Sequence, residues 1–186
     1  LASIKQRFLP LLPEQNFLEW SPVGPTVGDT EERIQNRILS EVEYEQFLIS
    51  HQPDFVLISN MFESHGFSDD AVTHVELLKK AGVKVACVLY DLIPLISPER
   101  HLSATYVADW YYEKLRYLQN TDLLLAISES AQLEGQVYLD FPKDRVVNIS
   151  SAVSDEYKVL DSQDESIQDV KEKFELDKPF IMHTAG

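Results

Sequence analysis

Four short polar runs, each following an apolar segment, hold the side chains with which this sequence could do chemistry. The sharpest is Tyr90-Asp91-Leu92-Ile93-Pro94. A carboxylate there can hydrogen-bond a sugar-type hydroxyl, orient a neighbour or simply cap the loop, and Pro94 stiffens the turn. Ser128-Glu129-Ser130 opens a helix. Its hydroxyls can cap that helix, or they can join the first-turn amides in holding an anion or a hydroxylated ligand. Asn148 to Ser151 is polar without being diagnostic. Ser59-Asn60-Met61-Phe62-Glu63-Ser64-His65 is a polar and aromatic loop before Gly66, equally readable as a solvated crossover. Trp110-Tyr111-Tyr112 reads as helix packing rather than a stacking platform, and His183 alone says little.

Several other chemistries lack their motifs. The six glycines (Gly24, Gly28, Gly66, Gly82, Gly135 and Gly186) make neither a G-x-G-x-x-G nor a G-x-x-x-x-G-K-[ST] loop, which argues against dinucleotide and P-loop sites. No G-x-S-x-G elbow is present, and no Asp-x-Asp pair offers itself to a divalent cation beside phosphates. Five scattered His and the single Cys87 give no zinc spacing. The expectation is a metal-independent site with no cofactor.

These runs need elements to hold them. Asp54–Ser59, Lys84–Tyr90, Asp122–Ile127 and Arg145–Ile149 are short apolar runs, the pattern of strands buried on both faces of a parallel sheet. Between them the sequence predicts helices over Asp70–Ala81 (stopped by Gly82), from Ser103 or Thr105 with a Val107/Tyr111/Leu115/Leu118 stripe, and over Glu129–Leu139. An earlier helix is capped by Thr30, carries Ile34, Ile38, Val42, Leu48 and Ile49 on one stripe, and ends near His51 before Pro53. Alternating strands and helices predict an open doubly wound, Rossmann-like α/β domain. Right-handed crossovers then bring every strand exit to the one edge where such sheets bind ligands.

The chain has 186 residues, long enough for one domain and a piece of a second. The expected division is an N-terminal domain over 1–153, an acidic linker with a short helix over 154–177, and the first strand of a further domain over 178–186. An opening Leu1 without a start Met or signal-peptide pattern reads as an excised or processed piece. A formal net charge of −15 opposes nonspecific contact with nucleic acid or anionic lipid. One Cys precludes an internal disulfide.

Taken together, Tyr90-Asp91-Leu92-Ile93-Pro94-Leu95, Trp110-Tyr111 with Lys114-Leu115, Asp122 to Ser130, Arg145 to Ser151 and Lys178 to Met182 resemble the nucleotide-sugar glycosyltransferases of family 4. The likeness is greatest to bacterial, mannosyltransferase-like members that build surface polysaccharides, and it runs from about Pro53 to Gly186. The resemblance implies one acceptor-side half of a GT-B fold, acting in metal-independent transfer with retention at the anomeric carbon. It implies a GDP- or UDP-sugar donor, a glycan or lipid-linked acceptor, and a cytoplasmic location, at most peripheral to the inner face of the membrane. On it, Tyr90 and Asp91 are the catalytic candidates, and Ser128, Glu129, Asn148 and Ser150 the substrate-binding ones.

The sequence departs from the family where a His-Asp pair becomes Tyr90-Asp91 and where an Asn-Gly-Val-Asp run becomes Ser151-Ala-Val-Ser154. A phenol donates a hydrogen bond but does not titrate near neutral pH. With no basic cluster for a diphosphate, the chain is expected to transfer no sugar alone. The alternative is a stand-alone α/β binding or scaffold module without catalysis.

Overall fold

The computed structural model of the chain describes residues 2–62, 72–155, 157–159, 161 and 165–181. Its elements run α1 (Ala2–Phe8), α2 (Glu31–Ser50), β1 (Phe55–Ile58), α3 (Glu76–Lys80), β2 (Lys84–Leu89), α4 (Ile93–Ile96), α5 (Pro98–His101), α6 (Thr105–Gln119), β3 (Leu123–Ala126), α7 (Glu129–Tyr138), β4 (Val146–Asn148) and α8 (Glu165–Lys173). The chain divides into two units, Leu1–Ser151 and Ala152–Gly186.

The four strands form one parallel sheet in the order β1-β2-β3-β4, with helices between them. This is the expected open α/β sheet, and the described strands wind in one sense. Register aligns Ile58 with Cys87, Cys87 with Leu124, and Leu124 with Val146. Strand side chains alternate between faces, so one face carries Ile58, Val85, Cys87, Leu89, Leu124, Ala126 and Val146. These residues enter the core with Leu78, Leu115, Leu118, Leu139 and Phe141. Helix α7 lies against this face at Gly135, where an added Cβ would stand 3.0 Å from Leu89 Cδ2 and 3.5 Å from both Leu124 and Val146.

The opposite face departs from the sequence expectation of burial on both sides. Phe55 and Leu57 of β1 and Val147 of β4 are exposed, because the core cluster draws its strand residues from the first face.

Local signals account for some element ends. The Thr30 hydroxyl accepts the Arg33 amide (3.4 Å) at the start of α2, and Glu31 and Glu32 complement that end of the dipole. Gly82, at φ +81°, turns the chain out of α3 while the Val83 amide reaches back to the Leu78 carbonyl (3.0 Å). At the start of β3, Asp122 binds the Val85 amide (2.9 Å) and pairs with Lys79 (2.7 Å), latching strand starts to α3.

Two expectations need correction. Of the α2 stripe only Leu48 and Ile49 pack on the core; Ile34 and Ile38 are exposed, and Ser40, Glu41 and Glu45 are buried instead. Helix α3 covers only five residues, because Thr73 and His74 ahead of it are held by Lys114 and Glu45; Asp70 and Ala71 lie outside the described residues. Helix α6 opens at Thr105, one of the two expected starts, with Ala104 as its N-cap and no side-chain hydrogen bond there.

In the second unit, α8 falls where the short helix was expected. Residues 178–181 pair with no described strand, and Phe180 and Ile181 are exposed. The rest of that expected strand, His183 included, lies outside the described residues, as do Glu63, Ser64, His65 and Gly66.

Candidate active site at the strand exits

Register sets Leu89, Ala126 and Asn148 level, so the chain leaves β2, β3 and β4 along one edge. The ladder continues one residue further: the Ile127 amide donates to the Leu89 carbonyl (3.1 Å) and the Ile149 amide to the Ala126 carbonyl (2.9 Å). All six candidate residues stand along this edge.

At the β2 exit Tyr90 and Asp91 are exposed. Asp91 Oδ1 accepts the Ile93 amide (3.1 Å), so the carboxylate caps the turn into α4, and Pro94 sits in that helix's first turn. Asp91 Oδ2 has no partner among the described residues. The next residue, Leu92, is fully buried, and its amide donates to Glu134 Oε2 of α7 (2.7 Å). The other Glu134 oxygen accepts from the Ser130 hydroxyl (3.3 Å). Glu134 thus ties the loop that presents Asp91 to the helix packed beneath the sheet.

At the β3 exit Ser128 caps α7, accepting the Ala131 amide (3.1 Å), and Glu129 lies exposed in the first turn. At the β4 exit the Asn148 carboxamide oxygen accepts the Ser150 amide (2.8 Å), and Ser150 takes a left-handed φ of 59°. The Ser151 hydroxyl donates to the Ile127 carbonyl (3.2 Å), joining the β3 and β4 exits. A non-glycine residue in that region is uncommon and marks a turn its surroundings hold in place.

Tyr90 and Asp91 line a pocket of about 150 Å³ together with Asn60, Phe62, Pro94, Trp110 and Tyr111. Phe62 stacks on Tyr111 (centroids 4.8 Å, 21° between planes) and meets Trp110 edge-on (6.2 Å). Tyr111 is buried, which pushes its phenol well above the ordinary value although the Leu95 amide opposes the shift. The Trp110 indole N–H is buried without a hydrogen-bond partner among the described residues, whereas the Tyr111 hydroxyl has the Leu95 amide beside it. A buried donor left unmatched is costly, and both rings also pack with the core, as the sequence suggests. Ser128, Glu129, Asn148 and Ser150 do not line the pocket.

Sequence reasoning missed Glu134 and did not place Asn60, Trp110 and Tyr111 in one pocket. Asn60 was visible in the β1 exit run, and Glu134 follows Ser130 at i+4, a spacing that places two side chains on one helix face.

A second polar cluster lies apart from this edge. Glu45, fully buried, accepts the Leu78 amide (2.8 Å) and the ring of His74. Lys114, also buried, donates to the Thr73 carbonyl (2.6 Å), stands 3.7 Å from Glu41 and lies 5.3 Å from the Tyr117 ring centroid. Burial raises the Glu41 carboxyl against the pull of Lys114. Burial alone would lower His74, but the hydrogen bond and charge of Glu45 outweigh it and leave the imidazole raised. The cluster fixes residues 72–75 between α2 and α6.

Comparison with curated proteins matches the whole chain to the serotype-specific mannosyltransferase WbdA of Escherichia coli, 33% identical over 185 residues, in three versions of that protein. The chain is homologous to one segment of a mannosyltransferase. This mannosyltransferase homologue spans 22% of the length of the proteins it matches. No family model and no solved structure matches it. No described helix of the homologue is long and apolar enough to cross a membrane.

Proposed function

We propose that the chain is the acceptor-side half of a bacterial glycosyltransferase that moves a sugar, mannose in the first instance, from a GDP- or UDP-sugar to a glycan or lipid-linked acceptor during surface polysaccharide synthesis. The observation that carries this reading is the homology of the whole chain to a segment spanning 22% of a mannosyltransferase. The parallel sheet supports it by collecting Tyr90, Asp91, Ser128, Glu129, Asn148 and Ser150 along one edge.

The transfer is retaining and metal-independent, and takes place in the cytoplasm. It needs a positioned acceptor hydroxyl and charge stabilisation on the departing diphosphate. Asp91 Oδ2 accepts the proton of the acceptor hydroxyl while Oδ1 holds its loop in place. Tyr90, exposed at the pocket rim, donates a hydrogen bond where the family has His. Residues 1–153 form the acceptor-side domain, 154–177 the connection, and 178–186 lead toward the donor side. Basic residues that meet the diphosphate belong to that other side, so the chain alone transfers no sugar.

The test is differential binding to the 186-residue chain, read by saturation-transfer NMR. A methyl α-mannoside or mannobiose should receive saturation, whereas GDP-mannose and UDP-glucose should not. Binding of a nucleotide sugar without binding of any mannoside would overturn the assignment.

A further inference from the structure

The pocket beside Asp91 has a neighbour. A groove of about 890 Å³ is lined largely by α6, and Trp110 lines both cavities, with Pro94 in one and Leu95 in the other. Tyr106, Asp109, Trp110 and Glu113 follow the i, i+3, i+4, i+7 spacing of one helix face. Tyr106, Tyr112 and Tyr138 line the groove and are each about half exposed.

We propose that this groove is the binding track for an extended acceptor glycan, with the terminal sugar in the Asp91 pocket and preceding units crossing Trp110 onto α6. This deepens the acceptor-side reading above and rests on it. Pyranose rings present a C–H face and a rim of hydroxyls. Exposed aromatic side chains suit the first, and carboxylates and guanidinium groups the second. The groove supplies both, interleaving Tyr106, Tyr112 and Tyr138 with Asp109, Glu113 and Arg116. Its charged lining residues are Asp29, Asp109 and Glu113 against Arg37 and Arg116, three negative and two positive. That balance suits an uncharged polyol and disfavours a phosphate chain. A volume of this size falls in the ~300–1,000 Å³ range of sites that enclose a sizeable ligand. It has room for several sugar units where the Asp91 pocket has room for one. The acceptor class is therefore an oligosaccharide, read by length as well as by its terminal unit.

The experiment titrates the 15N-labelled chain with α-linked mannobiose and mannotetraose and follows amide shifts. The disaccharide should move amides at Asn60, Tyr90 and Asp91. The tetrasaccharide should add shifts at Tyr106, Asp109 and Glu113 and bind about tenfold more tightly. Tyr106→Ala and Tyr112→Ala, both at exposed rings, should remove that gain and leave the disaccharide affinity unchanged. Equal affinity for the two lengths, with shifts confined to the strand exits, overturns the groove and leaves the acceptor-side reading standing. Shifts confined to α6 overturn the continuous track and count against the strand edge as the acceptor site. Binding of neither sugar contradicts both.

Discussion

Glu134 is the residue on which the geometry of the Asp91 loop most depends. It accepts the amide of buried Leu92 at 2.7 Å and the Ser130 hydroxyl at 3.3 Å. Glu134→Ala leaves the Leu92 amide without an acceptor inside the protein, a loss of about 1.5–3 kcal/mol for a hydrogen bond to a charged group. For a domain of this size each kcal/mol lowers Tm by about 2–4 °C, so the variant should melt about 3–12 °C below the wild type. Glu134→Gln keeps a carbonyl acceptor at the same reach but loses the charge assistance, which roughly doubles such bonds. It should fall about midway between the two. Thermal unfolding followed by far-UV circular dichroism measures both variants. Amide shifts test the structural half of the argument: Asp91, Leu92 and Ile93 should move in Glu134→Ala while β1 residues should not. A Glu134→Ala protein as stable as the wild type, or one whose Asp91 loop is unmoved, would refute the view that α7 holds this loop.

Three further outcomes follow from the fold. Gly135→Val forces a branched side chain against Leu89, Leu124 and Val146 where a Cβ already stands 3.0 Å from the first; it should cost about 1–3 kcal/mol by overpacking, and an unchanged urea midpoint would contradict the packing of α7. His74 is raised above its ordinary value of 6.5 among Glu45, Glu41, Glu76, Lys114 and Tyr117, so its contribution is complete below that value and lost as pH rises through the folded pKa. Glu41, raised by burial, acts in the same sense in a lower window, from its ordinary value of 4.5 upward. The urea midpoint should therefore be higher at pH 6 than at pH 8.5, and the difference should shrink in His74→Gln; an identical slope in that variant would remove His74 from the account. Asp122 is opposite in sign: burial opposes ionisation, but the Lys79 pairing and the Val85 amide hold its carboxyl below the ordinary value, so its stabilisation is present above about pH 4 and lost as pH falls through the folded pKa. Asp122→Asn should destabilise by about 1 kcal/mol at pH 7 and lose less on acidification, a pattern that equal acid midpoints would rule out.

The sheet was legible because apolar runs such as Val85 to Leu89 admit few alternatives, and because Thr30, Ser128 and Gly82 act through local geometry that does not depend on the rest of the chain. Residues whose environment is made by distant segments were not legible. The polar middle of α2 was not, because Glu41 and Glu45 are inside only by virtue of Lys114, His74 and the Leu78 amide, none of which is near them in sequence. Helix α3 was drawn too long for the same reason, since Lys114 holds the Thr73 carbonyl from 41 residues away. At the site, the position of Asp91 followed from the strand pattern, and its capping of Ile93 was one of the readings left open. The pocket wall was hidden because Phe62 and Tyr111 meet only once β1 and α6 are placed.

The most direct test concerns Asp91 in the longer protein that carries this segment. Asp91→Asn retains an oxygen to accept the Ile93 amide, so Tm should change by less than about 2 °C, the shift expected from a few tenths of a kcal/mol. It removes the charge proposed to meet the acceptor hydroxyl, and turnover with a GDP- or UDP-sugar and a mannoside acceptor should fall on the order of 10²-fold. Turnover unchanged in a protein of unchanged Tm would place the reaction elsewhere and contradict the account.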